Sequence, residues 1–261
     1  MKLFDSHCHL DDRSYKKDLD AVLERARSAG VDKIMTIGFT RRTSEIGVAI
    51  AETRDGVYAT VGVHPHDAKD GSETALDALR RLTHHSKVKA WGEVGLDFNR
   101  MFSPREEQEK WFIRQLEVSE ELDLPVVLHE RDSKGRFAEL LKAHFRPGRK
   151  GVVHCFSGTR EELETYLNMG LSIGITGIVT VKGRGAPLRE MIPSIPLDRI
   201  VIETDGPYLV PAPQRNKHRR NEPAFVQAVL LKLAEVLDKA PEDIARQTYE
   251  NTCRLYNIQG P

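Results

Sequence analysis

The chain has 261 residues, 39% of them hydrophobic and 30% charged, and its 39 basic residues are matched by 39 acidic ones. This is the composition of a soluble globular enzyme; zero net charge excludes an extended nucleic-acid coat or a membrane-surface protein but permits a local basic patch. Cys8, Cys155 and Cys253 are sparse and odd in number, which argues against a disulfide framework and for a reducing compartment.

The opening residues MKLFDSHCHL carry charge and histidine where a secretion signal needs an apolar run. No stretch approaches the ~20 apolar residues of a membrane span. The expectation is a cytoplasmic protein with no membrane association and no obligate protein partner.

Short apolar runs follow at Lys2–Ser6, Lys33–Phe39, Val57–Val63, Val88–Gly95, Leu124–His129, Gly151–Phe156, Leu171–Gly177 and Arg199–Thr204. Amphipathic patterns lie between them, among them Tyr15–Gly30, Pro104–Glu121 and Lys134–Phe145, and a last one covers Pro241–Tyr256. The runs recur at the spacing of one βα unit. Ser103 is expected to cap a helix with Pro104 at its first position, and Thr159 with Glu162 reads as a capping box. Gly30 and Gly170 read as helix C-caps, and Pro125 opens a strand.

Eight strands alternating with helices fit a closed barrel or an open doubly wound sheet. A dinucleotide-binding sheet wants a glycine-rich turn after its first strand, and here that strand ends in His7–Cys8–His9. Polar residues of metal-ligand type also end later strands, and many strand ends converge naturally only in a barrel. The prediction is an α/β protein, a single (β/α)8 TIM barrel over residues 1–261 with an extra C-terminal helix.

On a strand, His7 and His9 face one side and Cys8 the other. Glu93, His129, His154 and Asp205 each end a mostly apolar run, where such a side chain is costly unless paired, hydrogen-bonded or bound to a metal. Four histidines and two carboxylates suit two divalent ions. The spacing assigns one ion to His7, His9 and Asp205 and another to His129 and His154, with Glu93 the best candidate to bridge them. Zinc or manganese fits this donor set, and magnesium would be unusual as a tight structural ion. Asp205 can also take the proton of an attacking water, and Glu203, one pleat deeper, reads as an orienting group.

These motifs resemble the TatD family of metal-dependent deoxyribonucleases over essentially the whole chain. The resemblance is carried by Phe4–Leu10, Gly62–His66, Gly92–Asp97, His129–Asp132, His154–Gly158, Gly174–Gly177, Glu203–Tyr208 and Arg220–Pro223. It implies an amidohydrolase-like barrel that cleaves phosphodiester bonds in DNA with divalent metal (Mg, Mn or Zn), commonly as a 3′-to-5′ exonuclease on single strands. The family's ligand positions fall on His7, His9, Glu93, His129, His154 and Asp205, with Glu93 and Asp205 central to catalysis, and its phosphate-contacting histidine falls on His64. Gly206 stands where alanine is usual, a change expected to loosen the turn toward Pro207.

An anionic substrate needs positive groups. Arg220 lies in the family's Arg-Asn-Glu-Pro stretch, and Arg131 shares the face of His129; both are candidate phosphate contacts. Phe98, Phe102 and Tyr208 can stack on bases, with core or rim packing their more ordinary use. The competing reading is a binuclear amidohydrolase or esterase acting on a cyclic amide or an aminoacyl ester; Glu93, where such enzymes often carry a modified lysine, speaks against the amide version.

Overall fold

A computed structural model describes residues 1–260. All eight predicted strands form: β1 (Leu3–Cys8), β2 (Val31–Thr36), β3 (Val57–Val61), β4 (Val88–Asp97), β5 (Val126–Arg131), β6 (Gly151–Val153), β7 (Ser172–Ile175) and β8 (Ile200–Ile202). They belong to one sheet in the order β1 to β8, and β1–β2, β3–β4, β4–β5, β5–β6 and β7–β8 pair in parallel. A parallel bridge joins Cys8 to Gly206, and Asp205 donates its N–H to the His7 carbonyl at 2.9 Å, so the end of β1 meets the segment after β8. Sequential parallel order with first and last strands joined is the topology of a (β/α)8 barrel.

The helices are α1 (Leu19–Ser28), α2 (Arg41–Glu52), α3 (Glu73–Leu82), α4 (Arg105–Glu121), α5 (Arg136–His144), α6 (Arg160–Asn168), α7 (Ala186–Met191), α8 (Ala212–Arg215), α9 (Val226–Leu237) and α10 (Pro241–Leu255). No helix among the described residues is long and apolar enough to cross a membrane. The described residues group into two compact units, one of residues 1–36, 155–157 and 173–260, the other of residues 37–154 and 158–172.

In the first unit, β1 and β2 pair, and so do β7 and β8. Phe4 lies between the rings of Tyr249 and Tyr256, at 6.1 and 6.3 Å, and the Tyr256 hydroxyl donates to the Ser6 carbonyl. The predicted C-terminal helix therefore covers the face of β1 that carries Phe4. Asn251 adds two bonds, to the carbonyls of Leu197 and Ile200, at the start of β8.

In the second unit, Phe112 of α4 stacks on Phe137 of α5 at 5.1 Å, and Tyr166 of α6 meets Phe137 edge-on. The carboxamide of Gln115 spans two strands: its oxygen accepts from Val63 N and from the Trp91 indole, and its nitrogen donates to Val63 O. A buried carboxamide satisfied at three points pins the end of β3 to β4.

The capping box at Thr159 and Glu162 is present, and Gly30 and Gly170 have φ of +87° and +81°. The cap predicted at Ser103 is not formed. α4 starts at Arg105 with Pro104 in the capping position, while the Ser103 hydroxyl donates to His66 O at 2.7 Å and accepts from Lys69 N. A tertiary partner outcompetes the helix terminus for that hydroxyl, a choice invisible in the local sequence. The three cysteines are free, as expected.

Candidate metal centre

In the first unit, alternation along β1 puts Asp5, His7 and His9 on one side. His7 and His9 bring their Nε2 atoms to 3.4 Å, and Asp205 Oδ1 lies 3.7 Å from His7 Nε2 and 3.4 Å from His9 Nε2. Asp205 itself adopts φ +56°, a left-handed conformation that a residue with a Cβ rarely takes. The surrounding bonds impose it. Asn221 Nδ2 donates to the carbonyls of Thr204 and Tyr208, on either side of Asp205. Gly206 N donates to the Thr204 hydroxyl, and Gly206 O accepts from His9 N at 2.7 Å.

The turn expected to be loosened by Gly206 is thus tied on both sides. The reason for glycine is spatial: a Cβ there would lie 2.6 Å from the Tyr15 hydroxyl and 3.1 Å from Cys8 Sγ. Tyr15 is held in place by donating to Asn221 O at 2.6 Å.

Asp5 is a carboxylate that the reading of strand ends missed. It is fully buried, accepts from Thr204 N at 2.8 Å, and so orders the segment leading to Asp205. Burial pushes its carboxyl up to about 8. The signal was present, because an acid two residues before His7 must share its face. Glu203 accepts from Cys155 N at 2.6 Å and from the Ser6 hydroxyl. Gly174 leaves room for that carboxylate, which a Cβ would meet at 2.6 Å.

In the second unit, Glu93 Oε1 is ringed by imidazoles: His129 Nδ1 at 2.7 Å, His154 Nε2 at 3.4 Å and His64 Nε2 at 3.5 Å. His64, Glu93 and His129 offer ligand atoms within 4.8 Å of one another. β4 reaches this geometry through two glycines of positive φ, Gly92 (+115°) and Gly95 (+151°), and a register irregularity against β5 between Trp91 and Val94. A Cβ on Gly95 would fall 1.8 Å from His129 O. The strand thus approaches β5 closely and still turns Glu93 toward the imidazoles.

His64 Nδ1 accepts from His66 N at 3.0 Å, so a neutral His64 carries its proton on Nε2, facing Glu93. Burial lowers its imidazole to about 4, which keeps it neutral. Asp97, at the end of β4, meets His66 Nε2 at 2.7 Å and lies 3.6 Å from His129 Nε2, a role that the strand-end pattern did not reveal. Its backbone is held on both sides by the Gln108 carboxamide. Burial opposes ionisation of Asp97, yet His129 and His66 hold its carboxyl well below the usual carboxylate range. For His129, burial works against the charged form, and the Asp97 and Glu93 carboxylates overcome it, raising the imidazole to about 9.

The donor chemistry of both clusters fits divalent cations. Buried nitrogen and carboxylate-oxygen donors converge with no lysine or arginine among them, and the raised proton affinity of His129 marks a place that favours positive charge. His129 Nε2 is buried and makes no direct hydrogen bond, with the Asp97 carboxylate just beyond reach at 3.6 Å. Such an atom is expensive unless something binds it.

The predicted phosphate contacts divide. His64 sits in the Glu93 cluster. Arg131 ends β5 and is exposed. Arg220 is engaged: both terminal nitrogens meet the Asp18 carboxylate, at 2.8 and 2.7 Å, one also reaches Ser14 O, and the guanidinium covers the Tyr15 ring at 4.9 Å. Asp18 thus already neutralises the Arg220 guanidinium.

Comparison with known proteins gives consistent results. The family model described as TatD related DNase matches residues 4–257. The chain is 44% identical to the 3′-5′ ssDNA/RNA exonuclease TatD of Rahnella sp. (strain Y9602), covering 98% of each sequence. It is 38% identical to the uncharacterized metal-dependent hydrolase YabD of Bacillus subtilis (strain 168), covering 98% of this chain and 99% of that one. The crystal structure of YJJV, a TatD homolog from Escherichia coli K12, superposes with a TM-score of 0.90 at 32% identity, covering 98% of each chain.

Proposed function

The chain belongs to the TatD-related DNases, metal-dependent hydrolases of phosphodiester bonds, and from that premise we propose that it is a 3′-to-5′ exonuclease of single-stranded DNA working with two divalent ions. His7, His9 and Asp205 would hold one ion, and Glu93, His129 and His154 the other. The observation that carries this reading is the encirclement of the buried Glu93 carboxylate by three imidazole nitrogens at 2.7–3.5 Å. The relatives named as 3′-5′ ssDNA/RNA exonucleases support the choice of substrate and direction.

When bound, the ions supply Lewis-acid polarisation of the scissile phosphate and make water acidic enough to attack near neutral pH. The protein's own groups do the rest. Asp205, fixed by its neighbours' backbone bonds, accepts the proton of the attacking water. His64 presents Nε2–H as a hydrogen-bond donor to a phosphate oxygen, its other nitrogen occupied by His66 N. Arg131, exposed at the end of β5, offers a paired donor to the neighbouring phosphate. Arg220 bonds Ser14 and Asp18 and covers Tyr15, which in turn bonds Asn221, the residue that fixes the turn around Asp205.

The test is a time course on 5′-end-labelled single-stranded DNA with and without added Mn²⁺ or Mg²⁺, resolved to one nucleotide. The expected result is metal-dependent stepwise shortening from the 3′ end. Cleavage of a circular single strand at a comparable rate would overturn the exonuclease reading.

A further inference from the structure

Phe102 is the most exposed large hydrophobic residue among those described, at 56%, and Met101 beside it is 43% exposed. An apolar side chain left in water is ordinary on a mobile loop, but this loop is fastened at both ends. Before Phe102, the Asp97 carboxylate accepts from Asn99 N and Arg100 N. After it, buried Ser103 bonds His66 O and Lys69 N, and Gln108 Nε2 donates to both Ser103 O and Asp97 O. Met101 takes φ +50°, a conformation costly for a residue with a side chain. The ring is therefore held outward by a rigid frame rather than left over by a slack one.

Its neighbours tie it to the Glu93 cluster. Phe102 stands perpendicular to His66, ring centroids 4.8 Å apart. His66 lies 4.2 Å from His64, whose Nε2 is 3.5 Å from Glu93 Oε1. An exposed, fixed aromatic ring one side chain away from His64, the proposed phosphate donor, matches a nucleobase: every base offers a flat π face, and the base of an unpaired end is free to present it. The base at a duplex end is paired and already stacked on its neighbour.

We propose that Phe102 is the stacking platform for the base of the 3′-terminal nucleotide and that it sets the preference for unpaired ends. This rests on the single-strand exonuclease reading above. No chemistry is asked of the ring; it holds the terminal nucleotide so that its 5′-phosphate meets His64 and the Glu93 cluster.

The experiment compares wild type, Phe102→Ala, Phe102→Leu and Phe102→Trp on two labelled single strands, identical except that one ends in thymidine and the other in an abasic tetrahydrofuran nucleotide. On the thymidine end, Phe102→Ala should raise KM by roughly 10- to 100-fold, the span that loss of one base–aromatic stack allows, with a smaller change in kcat. Phe102→Leu should show most of this defect and Phe102→Trp little of it. On the abasic end all four proteins should be alike, and their melting temperatures should agree, since the ring is exposed. An equal loss by Phe102→Ala on both ends, or leucine serving as well as phenylalanine, overturns the proposal while leaving the exonuclease reading intact. A wild-type enzyme inert on both strands overturns the exonuclease reading and this one with it.

Discussion

At the scale of single residues, the two candidate clusters and the groups that orient them separate by experiment. Glu93→Ala and Asp205→Asn should each lower kcat by about 10³-fold or more at saturating metal, the scale of losing a preorganised electrostatic element. Near-normal kcat in Asp205→Asn would show that another group takes the proton. Arg220→Ala should act differently. Because Asp18 already occupies both terminal nitrogens, its loss should lower the melting temperature and leave the salt dependence of DNA binding unchanged. A log–log salt slope flatter by about 0.7 would instead identify Arg220 as a phosphate contact. Gly206→Ala should destabilise by about 1–3 kcal/mol, because its Cβ would collide with the Tyr15 hydroxyl. Combining it with Tyr15→Phe should cost less than the sum of the two, measured in urea unfolding; strict additivity would place the collision elsewhere.

At the scale of elements, β4 is an irregular strand with consequences for the site. Gly92 and Gly95 let it depart from regular pairing against β5, and Glu93 lies between them. Gly95→Ala combines a forbidden φ with a backbone collision at His129, and should cost about 2–4 kcal/mol. An unchanged urea midpoint would mean that β4 and β5 are not as close as described. Thr159→Ala, which removes only the cap of α6, should cost about 1 kcal/mol and leave activity alone. This scale also shows where local reading stopped. The eight strands were legible from apolar runs, since a strand buried on both faces needs nearly continuous hydrophobicity. Their ends were not: β2 starts at Val31 and stops at Thr36, and β4 continues to Asp97. Hydrogen-bond register decides an end, and register belongs to the neighbouring strand.

At the scale of the whole molecule, metal is expected to stabilise as well as activate. Ligand that binds only the folded chain adds about 2.7 kcal/mol at a hundredfold excess over its Kd. Chelator treatment should therefore lower the melting temperature and abolish cleavage, with both restored by Mn²⁺. Elemental analysis of loaded protein should approach two ions per chain, and His7→Ala/His9→Ala should lose about one. Unchanged stoichiometry in that variant would sink the assignment.

What the sequence determined by itself follows from rules that act along the chain. Apolar runs at βα spacing specified eight strands alternating with helices, ligand-type residues at several strand ends favoured the barrel over an open sheet, and the two-residue period of a strand put His7 and His9 on one side. An imidazole or carboxylate ending an apolar run marked Glu93, His129, His154 and Asp205, because such a group is tolerated there only with a partner. Tertiary structure decided what depends on partners distant in sequence. It turned Ser103 from its helix to His66, bound Arg220 to Asp18, and gave Asp5 to Thr204 and Asp97 to His66. Each of these side chains can bond several groups equally well. Which one it meets is set by where the fold brings the chain back, a distance that no local pattern encodes.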